Sequence, residues 1–228
     1  MTRFGLTAIV LVAGALLLSS SANAELLTMR AGTAFGGPTN FISSSPSGSL
    51  SGIAAVQGWA VTGSAQTPTL TPRTVFDSQT LSTSLTPTQP STIFVFVTLQ
   101  DLTAPPIGEI DARSSLTTNQ LNSVSSVTLS TFLDPTNSIA PPVGSQLLDQ
   151  ATFTSSNMTQ VGETRLPVTP GTMYSLQEVY EIRSSAFGGN ANLTIDLRVA
   201  PVPEPGTLAL LGAGVVGLAG LLRHKLNL

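Results

Sequence analysis

Leu193, Ile195, Leu197 and Val199 alternate with polar residues along 191–199. This period of two predicts a strand with one buried face and with Thr194 and Asp196 on the other. Upstream, Tyr174, Leu176, Tyr180 and Ile182 share one parity of 173–183, a stripe broken only by Glu178. The small-residue run 184–190 holds Gly188-Gly189 and turns the chain, so the two segments are predicted to pair as an antiparallel hairpin. Residues 91–102 contain Ile93-Phe94-Val95-Phe96-Val97-Thr98-Leu99, apolar on both parities. A central strand covered on both faces has that pattern. Another strand is predicted over 123–133, stopped by Asp134-Pro135, with weaker ones over 26–31, 53–62, 74–81, 107–113, 147–154 and 159–166.

Turn signals fall between these runs at Gly36-Gly37-Pro38, Ser45-Pro46-Ser47-Gly48, Pro105-Pro106, Pro141-Pro142 and Pro170-Gly171. Residues 62–74 and 81–91, rich in Thr and Pro, read as loops or edges, and a short helix fits 117–123. Short strands punctuated by Gly and Pro indicate an all-β protein, an antiparallel β-sandwich of roughly seven to nine strands.

The two ends follow a different pattern. Arg3, an apolar run over 6–18, Ser19-Ser20-Ser21 and Ala22-Asn23-Ala24 read as a secretory signal peptide over 1–24. Ala22 and Ala24 form the small-residue cleavage site, and Glu25 is expected to begin the mature chain. At the other end, 207–222 is uncharged over sixteen residues, TLALLGAGVVGLAGLL. As a helix it would be roughly 24 Å long, a little short of the hydrocarbon core of about 30 Å. Arg223, His224 and Lys225 follow at once, and Arg223 and Lys225 serve as a basic stop that keeps 223–228 in the cytoplasm. The expected organisation is therefore a signal helix over 1–24, a sandwich over 25–200, a Pro-rich linker over 201–206, a transmembrane helix over 207–222 and a basic tail over 223–228.

Immediately before the apolar stretch stands Val202-Pro203-Glu204-Pro205. A Pro-Glu-Pro motif, a Gly- and Leu-rich span and a short basic tail, in that order in an exported chain, resemble the PEP-CTERM sorting signal. The resemblance covers residues 202–225, written VPEPGTLALLGAGVVGLAGLLRHK. It implies a Gram-negative bacterium whose membrane-embedded exosortase recognises the tail. It also implies a surface or extracellular-matrix destination linked to exopolysaccharide and biofilm. The sorting residues carried over are Pro203, Glu204 and Pro205. The prolines fix φ and exclude a helix, so the handle stays extended. Gly212-Ala213-Gly214-Val215-Val216-Gly217 satisfies G-x-G-x-x-G but lacks the preceding strand and the later acidic residue of a dinucleotide site.

Composition narrows the chemistry of the middle. The chain has no cysteine, and its single histidine, His224, and single lysine, Lys225, both lie at the end. Neither Ser-His nor Ser-Lys nucleophiles can be built within 25–200, and zinc and copper lose their usual ligands. Six Arg against eleven Asp and Glu leave 25–200 at a net −5, with no basic run to attract nucleic acid. Only carboxylate chemistry remains. Glu109-x-Asp111 places two acids on one face of a strand, and the other acids read as solvated surface groups. The sequence contains no D-x-D-x-D-G calcium loop. Trp59, Tyr174 and Tyr180 read as core residues rather than sugar platforms. Asn157 and Asn192 open N-x-T triplets, read as coincidental.

The expected function is an exported, non-catalytic surface or matrix protein, structural or adhesive. Its partners are the secretion machinery and signal peptidase, exosortase, the inner membrane in transit, and exopolysaccharide. It needs no cofactor and no metal. The alternatives are a carbohydrate-binding module, which an exposed aromatic row would favour, and a carboxylate-dependent hydrolase, which needs two acids about 5–10 Å apart in a cleft.

Overall fold

The computed structural model describes residues 26–202, with gaps at 38, 47, 57, 68, 71–72, 85–90, 107, 140–144 and 185–188, and residue 213 alone beyond them. Thirteen strands run in chain order: β1 Leu27–Gly32, β2 Thr39–Ser45, β3 Ser49–Val56, β4 Trp59–Gln66, β5 Thr69–Leu70, β6 Arg73–Ser84, β7 Thr92–Thr103, β8 Glu109–Asn122, β9 Val124–Asp134, β10 Gln146–Phe153, β11 Met158–Pro167, β12 Met173–Ser184 and β13 Asn190–Pro201. They form two antiparallel sheets. The first has the order β10-β9-β12-β7-β1-β2 and the second β11-β8-β13-β6-β4-β3, with β5 appended to β6. The all-β sandwich expected from the alternation is present, with more strands than the seven to nine anticipated.

Alternation fixes which side chains enter the core. Leu193, Ile195, Leu197 and Val199 are buried, while Thr194 and Asp196 lie on the outer face of the second sheet. Trp59, Tyr180 and Phe76 are fully buried, and Tyr174 is nearly so. β7 is apolar on both faces for a physical reason. Ile93, Val95, Val97 and Leu99 face the core, while Phe94 and Phe96 join Phe132 and Val179 in a separate cluster on the outside. Phe35, from the β1–β2 connection, packs over that outer cluster, 6.0 Å from Phe94 and 6.2 Å from Phe132 between ring centroids.

Four expectations are corrected. β12 and β13 do not form a hairpin: β12 pairs with β7 and β9, and β13 with β6 and β8. The connection between them crosses from one sheet to the other, and their apolar stripes meet across the core. Alternation reports which face is buried but carries no information on which strand lies alongside. The helix fitted to 117–123 is instead the end of β8, and Ser123, at φ 55°, turns the chain directly into β9. The Thr-rich stretch 62–74 contains the end of β4, β5 and the start of β6. Residues 81–84 likewise continue β6. In β4 the exposed Thr62 and Ser64 alternate with buried Val61, Gly63 and Ala65, so polar residues occupy its solvated face. The signal helix, the apolar stretch 207–222 apart from residue 213, and the sorting and basic residues lie outside the described residues. Among the described residues no helix is long and apolar enough to cross a membrane.

The sheets approach closely at Gly63, which faces inward from β4. A Cβ there would lie 2.4 Å from the sulfur of Met29 on β1. At the opposite margin, β11 caps β10. Thr164 Oγ1 donates to Leu148 O at 2.7 Å, and Gln160 Nε2 to Gln150 O at 3.2 Å. These bonds occupy carbonyls that a bare edge strand would expose.

Candidate functional site

The outer face of the second sheet is polar because β3, β4, β6 and β13 each turn small hydroxyl, amide or acidic side chains to it. Ser49 and Ser51 come from β3, Ser64 and Gln66 from β4, Asp77 and Gln79 from β6, and Thr194 and Asp196 from β13. Together they line a trough of about 690 Å³, and none of the described lining residues is Lys, Arg or aromatic. The amide of Gln79 donates to Asn192 Oδ1 at 2.9 Å, and Asn119 Nδ2 donates to Thr194 Oγ1 at 2.9 Å, so the polar surface continues toward β8.

Two acids meet in the trough. Asp77 and Asp196 are direct partners in the β6–β13 ladder. Burial raises the Asp77 carboxyl above its ordinary value. The Asp196 charge and a hydrogen bond with Asp196 push it further, against an opposing hydrogen bond from Gln66. Asp196 is also held by Arg198, whose Nη2 lies 2.9 Å from Oδ2. Like-charged partners side by side favour retention of a proton between them.

Beneath this pair, inside the core, lies a third carboxyl. Glu178 interrupts the apolar stripe of β12 yet still faces inward, and it is fully buried. Its Oε2 is hydrogen-bonded to Ser78 Oγ, which also bonds the Tyr180 hydroxyl. Tyr180 in turn donates to Ser78 O at 2.9 Å. Burial raises the Glu178 carboxyl well above the usual range, against the Ser78 hydrogen bond and with smaller contributions from the charges of Asp77 and Asp196, and so favours its neutral form. Burial likewise raises the Tyr180 phenol. A neutral carboxyl suits this fully buried position, where Oε1 has no hydrogen-bond partner among the described residues.

The sequence singled out Glu109 and Asp111. They do share the outer face of β8, but their partners across the ladder are Pro167 and Arg165 of β11. The pair that meets is Asp77 and Asp196, which no local spacing marks. Glu178, read with the other acids as a solvated surface group, is instead fully buried, although its place in the otherwise apolar stripe of 173–183 marked it. Other acids have structural tasks. Asp134 accepts from Thr136 N and Oγ1, Asp101 pairs with Asn137, and Glu163 lies 2.7 Å from Arg113 on the surface. Among the described residues no group of three potential ligands is placed to hold a metal ion.

β13 leads directly to the sorting motif. Residues 201–223 match the PEP-CTERM protein-sorting motif. The chain carries a PEP-CTERM sorting signal. The signal implies an exported protein with a membrane-anchored precursor, processed by exosortase. No curated protein matches the chain.

Loosely similar solved structures include the K1 cleaved adhesin domain of Lys-gingipain from Porphyromonas gingivalis W83. It is 10% identical and matched over 68% of this chain and 99% of that one, with a TM-score of 0.35. Another is the CBM22-1 xylan-binding domain of Paenibacillus barcinonensis Xyn10C, 10% identical over 64% of this chain and 88% of that one, with a TM-score of 0.31. A third is the enzymatically active domain of bacteriophage CBA120 tailspike protein 4, 17% identical over 61% of this chain, with a TM-score of 0.29. The match spans 19% of that tailspike chain. Likenesses at these scores carry no argument about function.

Proposed function

We propose that the chain is a non-catalytic surface or extracellular-matrix protein whose sandwich holds a neutral polysaccharide chain of the cell's own matrix in the trough. The sorting signal supports export and exosortase processing. The observation that carries the binding assignment is the lining itself, hydroxyls and amides from four strands in an open depression on one sheet face. Hydroxyl-rich sugars exchange hydrogen bonds with such groups, and a binding site of this kind fixes its ligand through a small number of placed polar atoms. The trough's two acids and the net −5 of 25–200 disfavour an anionic polymer.

An aromatic row does exist, on the other sheet, but Phe94, Phe96 and Phe132 are buried and only Phe35 is exposed, at 46%. The row therefore offers a stacked sugar little surface. The test is affinity electrophoresis of the mature protein in gels containing the host's exopolysaccharide. Retardation abolished by Gln66→Ala with Gln79→Ala supports the assignment. Equal mobility with and without polysaccharide removes it.

A carboxylate-dependent hydrolase is a second reading, favoured by the Asp77–Asp196 pair. Against it, Asp196 is already ion-paired with Arg198, Nη2 to Oδ2 2.9 Å. Release of reducing sugar from the same polysaccharide, abolished by Asp77→Asn, would establish it.

A further inference from the structure

Both ends of the sandwich emerge at one pole. β1 opens where β7 closes: Leu27 pairs with Leu99, and Gln100 N–H donates to Leu26 O at 3.0 Å. β13 closes where β8 opens: Pro201 pairs with Ile110, and Val202 N–H donates to Glu109 O at 3.3 Å. The connection 104–108 joins β7 to β8 at that same pole. The sorting motif match begins at residue 201, so its first residues are already bound into the sheet.

Little chain remains between the sheet and the membrane. Residues 203–206 separate Val202 from the apolar stretch that opens at Thr207. Four extended residues reach about 14 Å at most. The headgroup layer takes about 5–8 Å of this. The remaining gap, about 6–9 Å, is narrower than the roughly 10 Å that separates two packed protein layers. An enzyme that grips Pro203-Glu204-Pro205 in extended form cannot place walls around it there while the sandwich stays closed.

The end of β13 is paired on one side only. Pairing of β13 with β6 ends at Val199 and Thr74, so Ala200 and Pro201 are held by β8 alone. Ala200 is half-buried and Pro201 exposed, whereas Val199, the next residue inward, is buried. Freeing 200–202 lengthens the tether to seven residues and about 24 Å.

We propose that Ala200–Val202 detach from β8 when the membrane-embedded processing enzyme engages, so that the end of β13 is a releasable part of the sorting signal. The inference rests on the reading of 207–222 as a membrane span and of the motif as an exosortase substrate.

The test uses the full chain in its host and exploits the absence of native cysteine. Ala200→Cys with Asp111→Cys places a disulfide across direct ladder partners, within bridging distance for antiparallel neighbours. Asn192→Cys with Gln120→Cys staples the same two strands near their other end as a control. Conversion of precursor to shortened chain is followed by intact mass, with and without reductant.

The expected result is maturation slowed about ten-fold or more by the oxidised 200–111 staple and restored by reductant. A spacer of about ten Gly and Ser residues after Val202 should also restore it, and the control staple should mature like wild type. Wild-type maturation of the oxidised 200–111 staple overturns the inference, and so does a failure of the spacer to rescue it. A wild-type chain that is never shortened overturns the sorting reading and the inference together.

Discussion

Asp77 and Asp196 sit opposite each other in the β6–β13 ladder and line the same trough. Burial and the neighbouring Asp196 charge raise the Asp77 carboxyl. The raised carboxyl favours the folded state fully below its ordinary value of 3.8, and that contribution is lost as pH rises through the folded value. Asp77→Asn should therefore raise Tm at pH 7 by about 1–3 °C, the scale of a half-exposed charge pair, and change it little at pH 3. Thermal melts across pH 3–8 check this. A variant that loses stability at pH 7 would show that the two acids do not repel.

Glu178 extends the same logic to the core. Its carboxyl is raised well above 4.5, so its contribution to stability is complete below that value and declines as pH rises toward and through the folded value. Glu178→Gln keeps the shape and removes the proton requirement. Denaturant titrations should show the variant losing less stability than wild type between pH 5 and pH 9. Glu178→Ala, by contrast, empties volume and strips a partner from Ser78, at a cost of about 2–4 kcal/mol. A glutamine variant with an unchanged pH slope would mean that Glu178 is not held neutral.

Gly63 and Met29 set how near the sheets come. Gly63→Val should cost about 1–3 kcal/mol through overpacking. Met29→Ala in the same chain should recover part of that loss, a coupling that a double-mutant cycle measures. Additive effects would place the collision elsewhere.

Phe35 closes the aromatic cluster on the first sheet, whereas the trough lies on the second. Phe35→Ala should lower stability by about 1–2 kcal/mol and leave polysaccharide retardation unchanged. If it abolishes retardation while the chain remains folded, the ligand binds on the first sheet instead.

The legible and illegible parts of the fold divide along one physical line. Ile195 and Thr194 declared their faces because side chains alternate strictly along a strand. Residues 91–102 declared a two-sided strand because Phe94 and Phe96 fill the parity that a half-exposed strand gives to polar groups. Ladder neighbours are set by the packing of whole stripes, and 173–183 shows no local mark that it lies beside β7 and β9. The Asp77–Asp196 pair is a product of that same neighbour choice, so it was invisible until β6 and β13 were placed together. Glu178 was visible as the odd member of its stripe. Only its partners Ser78 and Tyr180 show how a core tolerates it.

The central claim is that the sandwich leaves the cell through its C-terminal sorting signal. Intact-mass measurement of the chain from membrane and extracellular fractions tests it most directly, in wild type and in Pro203→Ala/Glu204→Ala/Pro205→Ala. The wild-type chain should be found outside, beginning at Glu25 and lacking the apolar stretch 207–222. The triple variant should remain in the membrane with Leu228 intact. A variant shortened and released like wild type, or a wild-type extracellular chain that still ends at Leu228, would contradict the account.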